Sequence, residues 1–277
     1  MKEVCDVCLH HCCLEEGQTG FCGARKNEGG RIVCGNYGEV TSLALDPIEK
    51  KPFRLFKPGS LVLSVGSYGC NLRCPFCQNH QISMTGQAGI LPETVELRPE
   101  VLADKALKLR SFGNTGVAFT YNEPLVGWEY VLDTARLVRE KGMDNILVTN
   151  GSSSLKVLEE LLPYVDAMNI DLKGFSQEYY HRLGGDLETV KEFITRAAAS
   201  CHVELTTLIV PGENDSAEEM EREAMWIASV GREIPLHVTR FFPRYQMTDR
   251  NATDPAWVYG LADRARKYLR HVYVGNC

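Results

Sequence analysis

Three cysteines lie close together in the string GCNLRCPFCQN, at Cys70, Cys74 and Cys77. Thiolates are the usual protein ligands of iron–sulfur clusters, so this triplet can bind three irons of a [4Fe–4S] cluster and leave the fourth iron open. A structural zinc ion prefers four closed ligands, which a triplet does not supply. The alternative is three small buried side chains without a metal. The spacing favours a cluster with one exchangeable coordination position.

A second group of cysteines lies near the N-terminus. Of the eleven cysteines in the 277-residue chain, six fall within residues 5–34. Cys5, Cys8, Cys12 and Cys22 form a C-x2-C-x3-C-x9-C pattern, which can close a tetrahedral zinc site or bind a second iron–sulfur cluster. The alternative is a redox-sensitive turn region. Such clustering indicates metal or redox chemistry rather than a disulfide framework.

The composition is that of an ordinary globular protein, with a formal net charge of −6 from 30 basic and 36 acidic residues. A nucleic-acid-binding surface needs a basic patch or a high isoelectric point, so nucleic-acid binding is not expected. No apolar stretch approaches the ~18 residues of a membrane span, and no signal peptide is evident. We therefore expect a cytoplasmic protein that does not associate with a membrane.

Short apolar runs alternate with amphipathic segments from residue 59 onward. The predicted strands are Leu61–Val65, Val117–Thr120, Asn145–Thr149, Ala167–Asp171, Val203–Val210 and Leu236–Phe241. This alternation predicts an α/β fold with parallel strands, namely a partial (β/α)6 TIM-like barrel that is open on one side. We expect residues 59–277 to form the barrel and residues 1–58 to form a Cys-rich metal-binding region. Chemistry in such barrels takes place at the carboxyl ends of the strands.

The cysteine triplet resembles that of the radical S-adenosylmethionine (SAM) enzymes, in which the amino and carboxylate groups of SAM chelate the open iron. The resemblance implies that the polar segments after the predicted strands bind SAM. Phe76, between two cluster ligands, then covers the cluster or an adenine edge, unless it is a plain core residue.

The segment TYNEP follows the second predicted strand and contains Tyr121, Asn122 and Glu123. Radical SAM enzymes often carry a Gly-Gly-Glu-like segment here, whose backbone and acid hold the SAM ammonium. Alternatively, Glu123 is an acid at a helix N-terminus, where the helix dipole favours it. After the third strand, Asn150 can bond a ribose, although the serines that follow it can equally cap the next helix.

Two further segments supply charged side chains. Asp171 and Lys173 are two residues apart in an extended segment, so they project to the same face and suit a ribose hydroxyl and a carboxylate. A surface ion pair is the alternative. His237 and Arg240, near the sixth strand, can bind SAM or an anionic or peptide substrate, although a lone histidine here is usually a satisfied core residue.

A closer resemblance extends over about the whole chain. The strings CDVCLHHC, DPIEKKPF, GCNLRCPFCQNHQIS, FTYNEP, VTNG, NIDLKGF and HVTRFFPRYQM together resemble the radical SAM member of the AmmeMemoRadiSam system. That family is related to the activating enzymes of glycyl radical enzymes, such as pyruvate formate-lyase activase. The chain departs from it at Leu9, where a proline is common, and at Arg54 and Leu55, where a Tyr-His pair is common. Family members usually continue beyond the segment HVYVGN into a Cys-containing tail.

The resemblance implies an oxidoreductase. An electron donor of the flavodoxin or ferredoxin type reduces the cluster, SAM is cleaved to a 5′-deoxyadenosyl radical, and the radical abstracts hydrogen from an unidentified substrate. One possible target is a small molecule or peptide modified together with Ammecr-type and Memo-type proteins. The other is a backbone glycine of a glycyl radical enzyme. A non-catalytic iron–sulfur electron-transfer protein is a third hypothesis, and it would not need the segments that resemble SAM-binding motifs.

Overall fold

The structure, a computed structural model, describes residues 1–85 and 91–277. Its strands are β1 (Glu3–Val4), β2 (Cys13–Leu14), β3 (Arg25–Asn27), β4 (Ile32–Cys34), β5 (Glu39–Val40), β6 (Ser42–Pro47), β7 (Leu61–Gly66), β8 (Val95–Glu96), β9 (Asn114–Phe119), β10 (Asp144–Thr149), β11 (Ala167–Asp171), β12 (His202–Ile209), β13 (Leu236–Arg240) and β14 (Val272–Gly275). Its α-helices are α1 (His80–Ser83), α2 (Pro99–Lys108), α3 (Trp128–Glu140), α4 (Leu155–Leu161), α5 (Gln177–Arg182), α6 (Leu187–Ala198), α7 (Ala217–Gly231) and α8 (Pro255–Ala265). Short 3-10 helices cover Ile48–Lys50, Leu109–Phe112 and Pro124–Gly127.

The main sheet has eight strands in the order β14-β13-β12-β11-β10-β9-β7-β6. Neighbouring strands from β7 to β14 run parallel, and β6 pairs antiparallel with β7. The predicted α/β fold with a parallel sheet is confirmed, and the six predicted strands correspond to β7 and β9 to β13. Within the described residues, β6 and β14 do not pair with each other, so the sheet is open along that side.

Helices pack against this sheet through one extended cluster of buried apolar side chains. Its members include Leu102 of α2, Val131 of α3, Leu158 of α4, Phe193 of α6 and Ile227 of α7. Burial of such side chains supplies most of the stabilisation of an α/β fold of this size. In the part of the chain that the structure describes, no helix has the length and apolar character needed to cross a membrane.

Apart from β6, the strands of the N-terminal region belong to small two-stranded sheets. β1 pairs with β2, β3 with β4, and β5 with β8, all antiparallel. The predicted division between residues 58 and 59 stays a prediction, although β6 already belongs to the main sheet.

The segment between β6 and β7 fills the interior of the main sheet near the amino ends of several strands. Phe53 is fully buried there and belongs to an apolar cluster with Ile48, Ala118, Ile146 and Ala167. Because this end is occupied by side chains, an accessible site within the sheet must lie toward the carboxyl ends.

Glu204 of β12 anchors this segment. Its side chain has 0% exposure and accepts hydrogen bonds from the backbone N–H groups of Arg54 (2.9 Å) and Leu55 (2.8 Å). The rings of His202 and His237 lie 3.0 and 2.6 Å from its oxygens. Burial alone would raise the pKa of Glu204, but these hydrogen bonds outweigh burial and lower the pKa.

We expect Glu204→Gln to lower the free energy of unfolding by ~2–3 kcal/mol, because a buried charged acceptor of several hydrogen bonds is lost. The lowered pKa means that this stabilisation is fully present above the ordinary carboxyl pKa of 4.5 and is lost progressively as the pH falls from 4.5 through the lowered pKa. Urea unfolding of anaerobically purified protein at pH 7 and pH 4 measures both effects. The control is Glu233→Gln, since the Glu233 side chain is 61% exposed. Equal stability of the two variants at pH 7 would contradict the account.

Candidate functional site

An open cavity of about 280 Å³ lies at the carboxyl ends of β7, β9, β10 and β11. All but two of the residues predicted to bind the cluster or SAM line it. These residues are Cys70, Cys74, Phe76, Cys77, Tyr121, Asn122, Glu123, Asn150, Asp171 and Lys173. The volume is close to the lower end of the ~300–1,000 Å³ typical of ligand pockets.

The three cysteines lie on the loop between β7 and α1, which we call the cluster loop (residues 67–79). Cys74 is buried, whereas Cys70 and Cys77 are partly exposed. Burial raises the pKa of the Cys74 thiol to about 12 and raises the pKa of the other two thiols. Nearby metal cations reverse this effect, because they stabilise the thiolate form.

Hydrogen bonds to sulfur favour the same thiolate form. The backbone N–H of Leu72 and the side-chain amide of Asn150 donate to Cys70 Sγ at 3.4 and 3.7 Å.

Across residues 1–85 and 91–277, no group of three or more His, Cys, Asp or Glu side chains is arranged to hold a single metal ion. The cysteines of a [4Fe–4S] cluster each bind a different iron, so they need not meet at one point. The loop therefore offers a donor set whose chemistry fits such a cluster.

Backbone contacts from distant segments hold the cluster loop in shape. Cys70 N–H donates to the carbonyl of Cys22 at 3.1 Å, and Arg73 N–H donates to that of Leu183 at 2.7 Å. Gly69 has a φ of +90°, and a Cβ there would lie 2.7 Å from the Cys22 carbonyl oxygen. Glycine is therefore the residue that both the turn and the close approach require.

The turn Tyr121–Glu123, after β9, braces the cluster loop from the other side. Tyr121 adopts a left-handed conformation with φ of +73°, and its hydroxyl donates to Asp46 Oδ2 at 2.8 Å. The Asn122 side chain accepts from Ser67 N–H at 3.0 Å and donates to the Tyr68 carbonyl at 3.0 Å. Asn122 thus holds the start of the cluster loop rather than presenting a free amide to the cavity.

Glu123 is buried and joins two strand ends. Its carboxylate accepts from Thr149 Oγ1 (2.7 Å), Asn150 N–H (2.8 Å) and Leu125 N–H (3.1 Å). The last bond caps the 3-10 helix Pro124–Gly127, so the alternative role as a helix N-terminal acid is observed. Burial raises the pKa of Glu123 to about 7, although its hydrogen bonds oppose the rise.

Asn71, which the sequence analysis did not select, is a buried partner of Asn150. Asn150 Nδ2 donates to Asn71 Oδ1 at 2.8 Å, and Asn71 Nδ2 donates to the Ser152 carbonyl at 2.9 Å. Asn150 Oδ1 accepts from Ser152 N–H at 2.8 Å. These bonds fasten the cluster loop to the end of β10. Its position in the sequence, directly after Cys70, is the feature that could have identified Asn71 as a site residue.

Asp171 and Lys173 form an ion pair in the cavity wall, with Lys173 Nζ 2.7 Å from Asp171 Oδ2. The side chains are 32% and 16% exposed, so the pair is partly shielded from water. Burial alone would lower the pKa of Lys173, but attraction to Asp171 and Cys74 raises it. The cavity therefore contains a stable cation beside a carboxylate and the cysteine triplet.

His237 and Arg240 are the two predicted residues that the structure does not bring to this cavity. His237, near the amino end of β13, is buried against Glu204. Arg240 Nε donates to the Thr253 carbonyl at 2.7 Å, and its guanidinium lies over the Phe242 ring. Thr239 lines the cavity in their place. His237 instead lines a second cavity at the open side of the sheet, so its role in binding SAM or a substrate stays a prediction, as does that of Arg240.

A second cavity, of about 590 Å³, lies at the open side of the sheet between β6 and β14. Asp46 of β6 and Val274 and Gly275 of β14 line it. It shares Gln78, Tyr121 and Thr239 with the first cavity. The two cavities therefore adjoin, and the open side of the sheet leads toward the cysteine triplet.

Comparison with known proteins identifies the class. The radical SAM superfamily profile matches residues 64–224. An uncharacterized protein of Methanocaldococcus jannaschii is 38% identical over 281 residues, which cover 99% of this chain and 81% of that protein. The pyruvate formate-lyase-activating enzyme of Clostridium pasteurianum is 28% identical over 58% of this chain and 67% of its own length.

A solved structure shares the fold. SuiB of Streptococcus suis bound to S-adenosylmethionine has a TM-score of 0.60 at 13% identity, and the match covers 76% of this chain and 48% of SuiB. The chain belongs to the radical SAM superfamily, as the cysteine triplet predicted. Membership implies a [4Fe–4S] cluster and SAM, and the homology extends to activating enzymes of glycyl radical enzymes.

We expect Asn122→Ala to weaken retention of the cluster, because it removes the hydrogen bonds that fix Ser67 and Tyr68 at the start of the cluster loop. Loss of an outer-shell partner typically costs 10–100-fold in metal affinity, so iron should be released to a chelator about tenfold faster than from the wild type. The measurement is the decay of cluster absorbance after addition of the chelator. Asn251→Ala, at an exposed position, is the control. Equal release rates from the two variants would show that Asn122 does not support the cluster.

Proposed function

We propose that this protein cleaves SAM reductively at a [4Fe–4S] cluster bound by Cys70, Cys74 and Cys77, and abstracts hydrogen from a substrate. The observation that carries the proposal is the convergence of this triplet with the Asp171–Lys173 pair and the Tyr121–Glu123 turn on one cavity. When bound, the cluster supplies an electron to SAM, and SAM supplies the 5′-deoxyadenosyl radical.

The chain's own residues bind and orient SAM. The Lys173 ammonium, kept charged by Asp171, provides a cation for the SAM carboxylate. Asp171 keeps a second oxygen for a ribose hydroxyl. Because Glu123 and Asn150 already bond to backbone and side chains of the site, they act by positioning the strand ends around the ligand.

Apolar side chains limit the access of water to the site. Leu72, Phe76 and Leu208 line the cavity beside the charged groups. Leu72 and Phe76 are buried in a separate apolar cluster that also contains Cys74 and Met247. Exclusion of water protects a reactive intermediate from side reactions and strengthens the electrostatic contacts to SAM.

The proposed partners follow from the resemblance. The electron donor is a flavodoxin or ferredoxin, and the substrate is modified in the AmmeMemoRadiSam system with Ammecr-type and Memo-type proteins. The family motifs extend over about the whole chain and support this assignment. One of them, DPIEKKPF, begins in β6 and contributes residues to the lining of the second cavity.

A second candidate function is activation of a glycyl radical enzyme. The 28% identity to a pyruvate formate-lyase-activating enzyme favours it. So does the second cavity, because an extended peptide segment can enter between β6 and β14, which do not pair with each other in the part of the chain that is described, and approach the cysteine triplet. In this case the hydrogen is taken from a backbone glycine.

Dithionite-reduced, anaerobically reconstituted protein is expected to convert SAM into 5′-deoxyadenosine, measured by mass spectrometry. Cys74→Ala should reduce this product to background, because the cluster loses a ligand. Cys201→Ala is the control, since Cys201 lies outside both cavities. Product formation that is undiminished in Cys74→Ala would refute the proposal. A fully loaded wild type that neither binds nor cleaves SAM would instead support a non-catalytic electron-transfer protein.

Asp171→Asn should raise the Kd for SAM about tenfold, because a charge-assisted hydrogen bond is worth ~1.5 kcal/mol and the substitution also releases Lys173 from its ion pair. The iron content should stay at the wild-type value. Equilibrium dialysis with labelled SAM measures the affinity, with the exposed Asp263→Asn as control. An unchanged Kd would remove Asp171 from the SAM site.

The two target classes give different radical products. After incubation with SAM and a glycyl radical enzyme from the same genome, an activase generates a persistent glycyl radical that EPR spectroscopy detects on the partner. We expect no such radical if the target is modified with Ammecr-type and Memo-type proteins. A glycyl radical that depends on Cys74 would establish the second candidate function and displace the first.

A further inference from the structure

We propose that Cys5, Cys8, Cys12 and Cys22 form a second metal site, in which four thiolates bind a thiophilic centre, either a zinc ion or an iron–sulfur cluster. The proposal stands on the N-terminal region alone and does not depend on the reaction proposed above. The proposed site also has a structural role, because the same segment packs against the cluster loop.

The local fold brings the four cysteines together. β1 and β2 form a hairpin in which Cys5 N–H donates to the carbonyl of Cys12 at 2.9 Å. Cys8 lies in the connection between these strands, and Cys22 follows on the next loop. Cys5, Cys8 and Cys22 are buried. Their thiols are only weak hydrogen-bonding groups. Phe21 N–H bonds to Cys12 Sγ, so the segment that carries Cys22 lies directly against the hairpin.

Backbone N–H groups point at the sulfur atoms of this set. Phe21 N–H donates to Cys12 Sγ and Arg25 N–H donates to Cys22 Sγ, both at 3.4 Å. Leu72 N–H makes a bond of the same kind and length to Cys70 in the cluster loop. Such N–H···S bonds favour thiolate over thiol, so the backbone of both segments is preorganised for a bound metal.

The guanidinium of Arg25, which follows Cys22 closely in the chain, is paired with Glu129 at 2.6 Å. Thiolates at the four cysteines would therefore be stabilised by a thiophilic metal rather than by this side chain. Binding would draw the four sulfurs inward by side-chain rotation, since they do not yet surround a single point in the described residues.

The proposed site touches the cluster loop directly. The Cys22 carbonyl accepts the N–H of Cys70, and the Asn71 carbonyl lies 2.8 Å from His10 Nε2. The Arg73 guanidinium lies 4.0 Å from the Phe21 ring centre and donates to the Cys70 carbonyl at 2.8 Å. A metal that fixes Cys22 therefore also fixes the backbone around the first ligand of the triplet.

Metal analysis of anaerobically purified protein tests the proposal. In the variant Cys70→Ala/Cys74→Ala/Cys77→Ala, we expect about one zinc or about four irons with sulfide to remain per chain. X-ray absorption at the zinc edge, or Mössbauer spectroscopy for iron, should then show sulfur ligation and distinguish the two centres. Absence of stoichiometric metal in this variant, in a folded state by circular dichroism, would overturn the proposal.

Cysteine variants assign the ligands. Adding Cys8→Ser and Cys22→Ser to the triple variant should remove the remaining metal, whereas Cys13→Ser should retain it, because Cys13 is exposed and adjacent to the set. If the Cys8 and Cys22 changes prevent folding, cobalt substitution of the triple variant gives the same answer. Intense thiolate-to-cobalt charge-transfer bands support the site. Metal retained after loss of Cys8 and Cys22, or cobalt without thiolate bands, would contradict it.

Discussion

The structure of the site depends on the hydrogen bonds that satisfy the backbone N–H and C=O groups of the cluster loop. Residues 67–79 contain neither strand nor helix, so many of their polar groups bond to neighbouring segments. Asn122 bonds to the start of the loop, Cys22 receives the N–H of Cys70, and Gln246 N–H donates to the Pro75 carbonyl. The positions of the three cysteines therefore follow from contacts spread over nearly the whole chain.

This dependence explains why several polar side chains of the site bond to other parts of the protein. Glu123 joins the ends of β9 and β10, while Asn150 and Asn71 connect the end of β10 to the cluster loop. Their polar side-chain groups take part in these bonds. Among the described residues, the charged groups of Asp171 and Lys173 bond to each other, and both line the cavity, so they remain the groups best placed to contact a ligand. The interior near the amino ends is filled by Phe53, which leaves the carboxyl ends and the open side for access.

Much of this arrangement could be predicted because the informative patterns are local. The cysteine spacing identified the superfamily, and the polar segments after the strands lie at one cavity because parallel strands end on the same edge. The edge strands β6 and β14 were not predicted; β6 contains Asp46 and Pro47, which are unusual in strands. His237 and Arg240 lie outside the first cavity, which the local pattern could not show. His237 lies near the amino end of β13, and Arg240 follows Thr239 and so projects to the opposite face of the strand. The partnership of Asp46 with Tyr121 crosses 75 residues, and no short-range signal reveals it.

The central claim is that SAM binds directly to a cluster held by Cys70, Cys74 and Cys77. EPR spectroscopy of the reduced protein, with electron–nuclear double resonance on SAM carrying carbon-13 in its carboxylate, tests it most directly. The account predicts that SAM changes the EPR spectrum of the cluster and that the labelled carboxylate shows hyperfine coupling to it. An EPR spectrum that saturating SAM leaves unchanged, in protein carrying its full cluster at the triplet, would contradict the account.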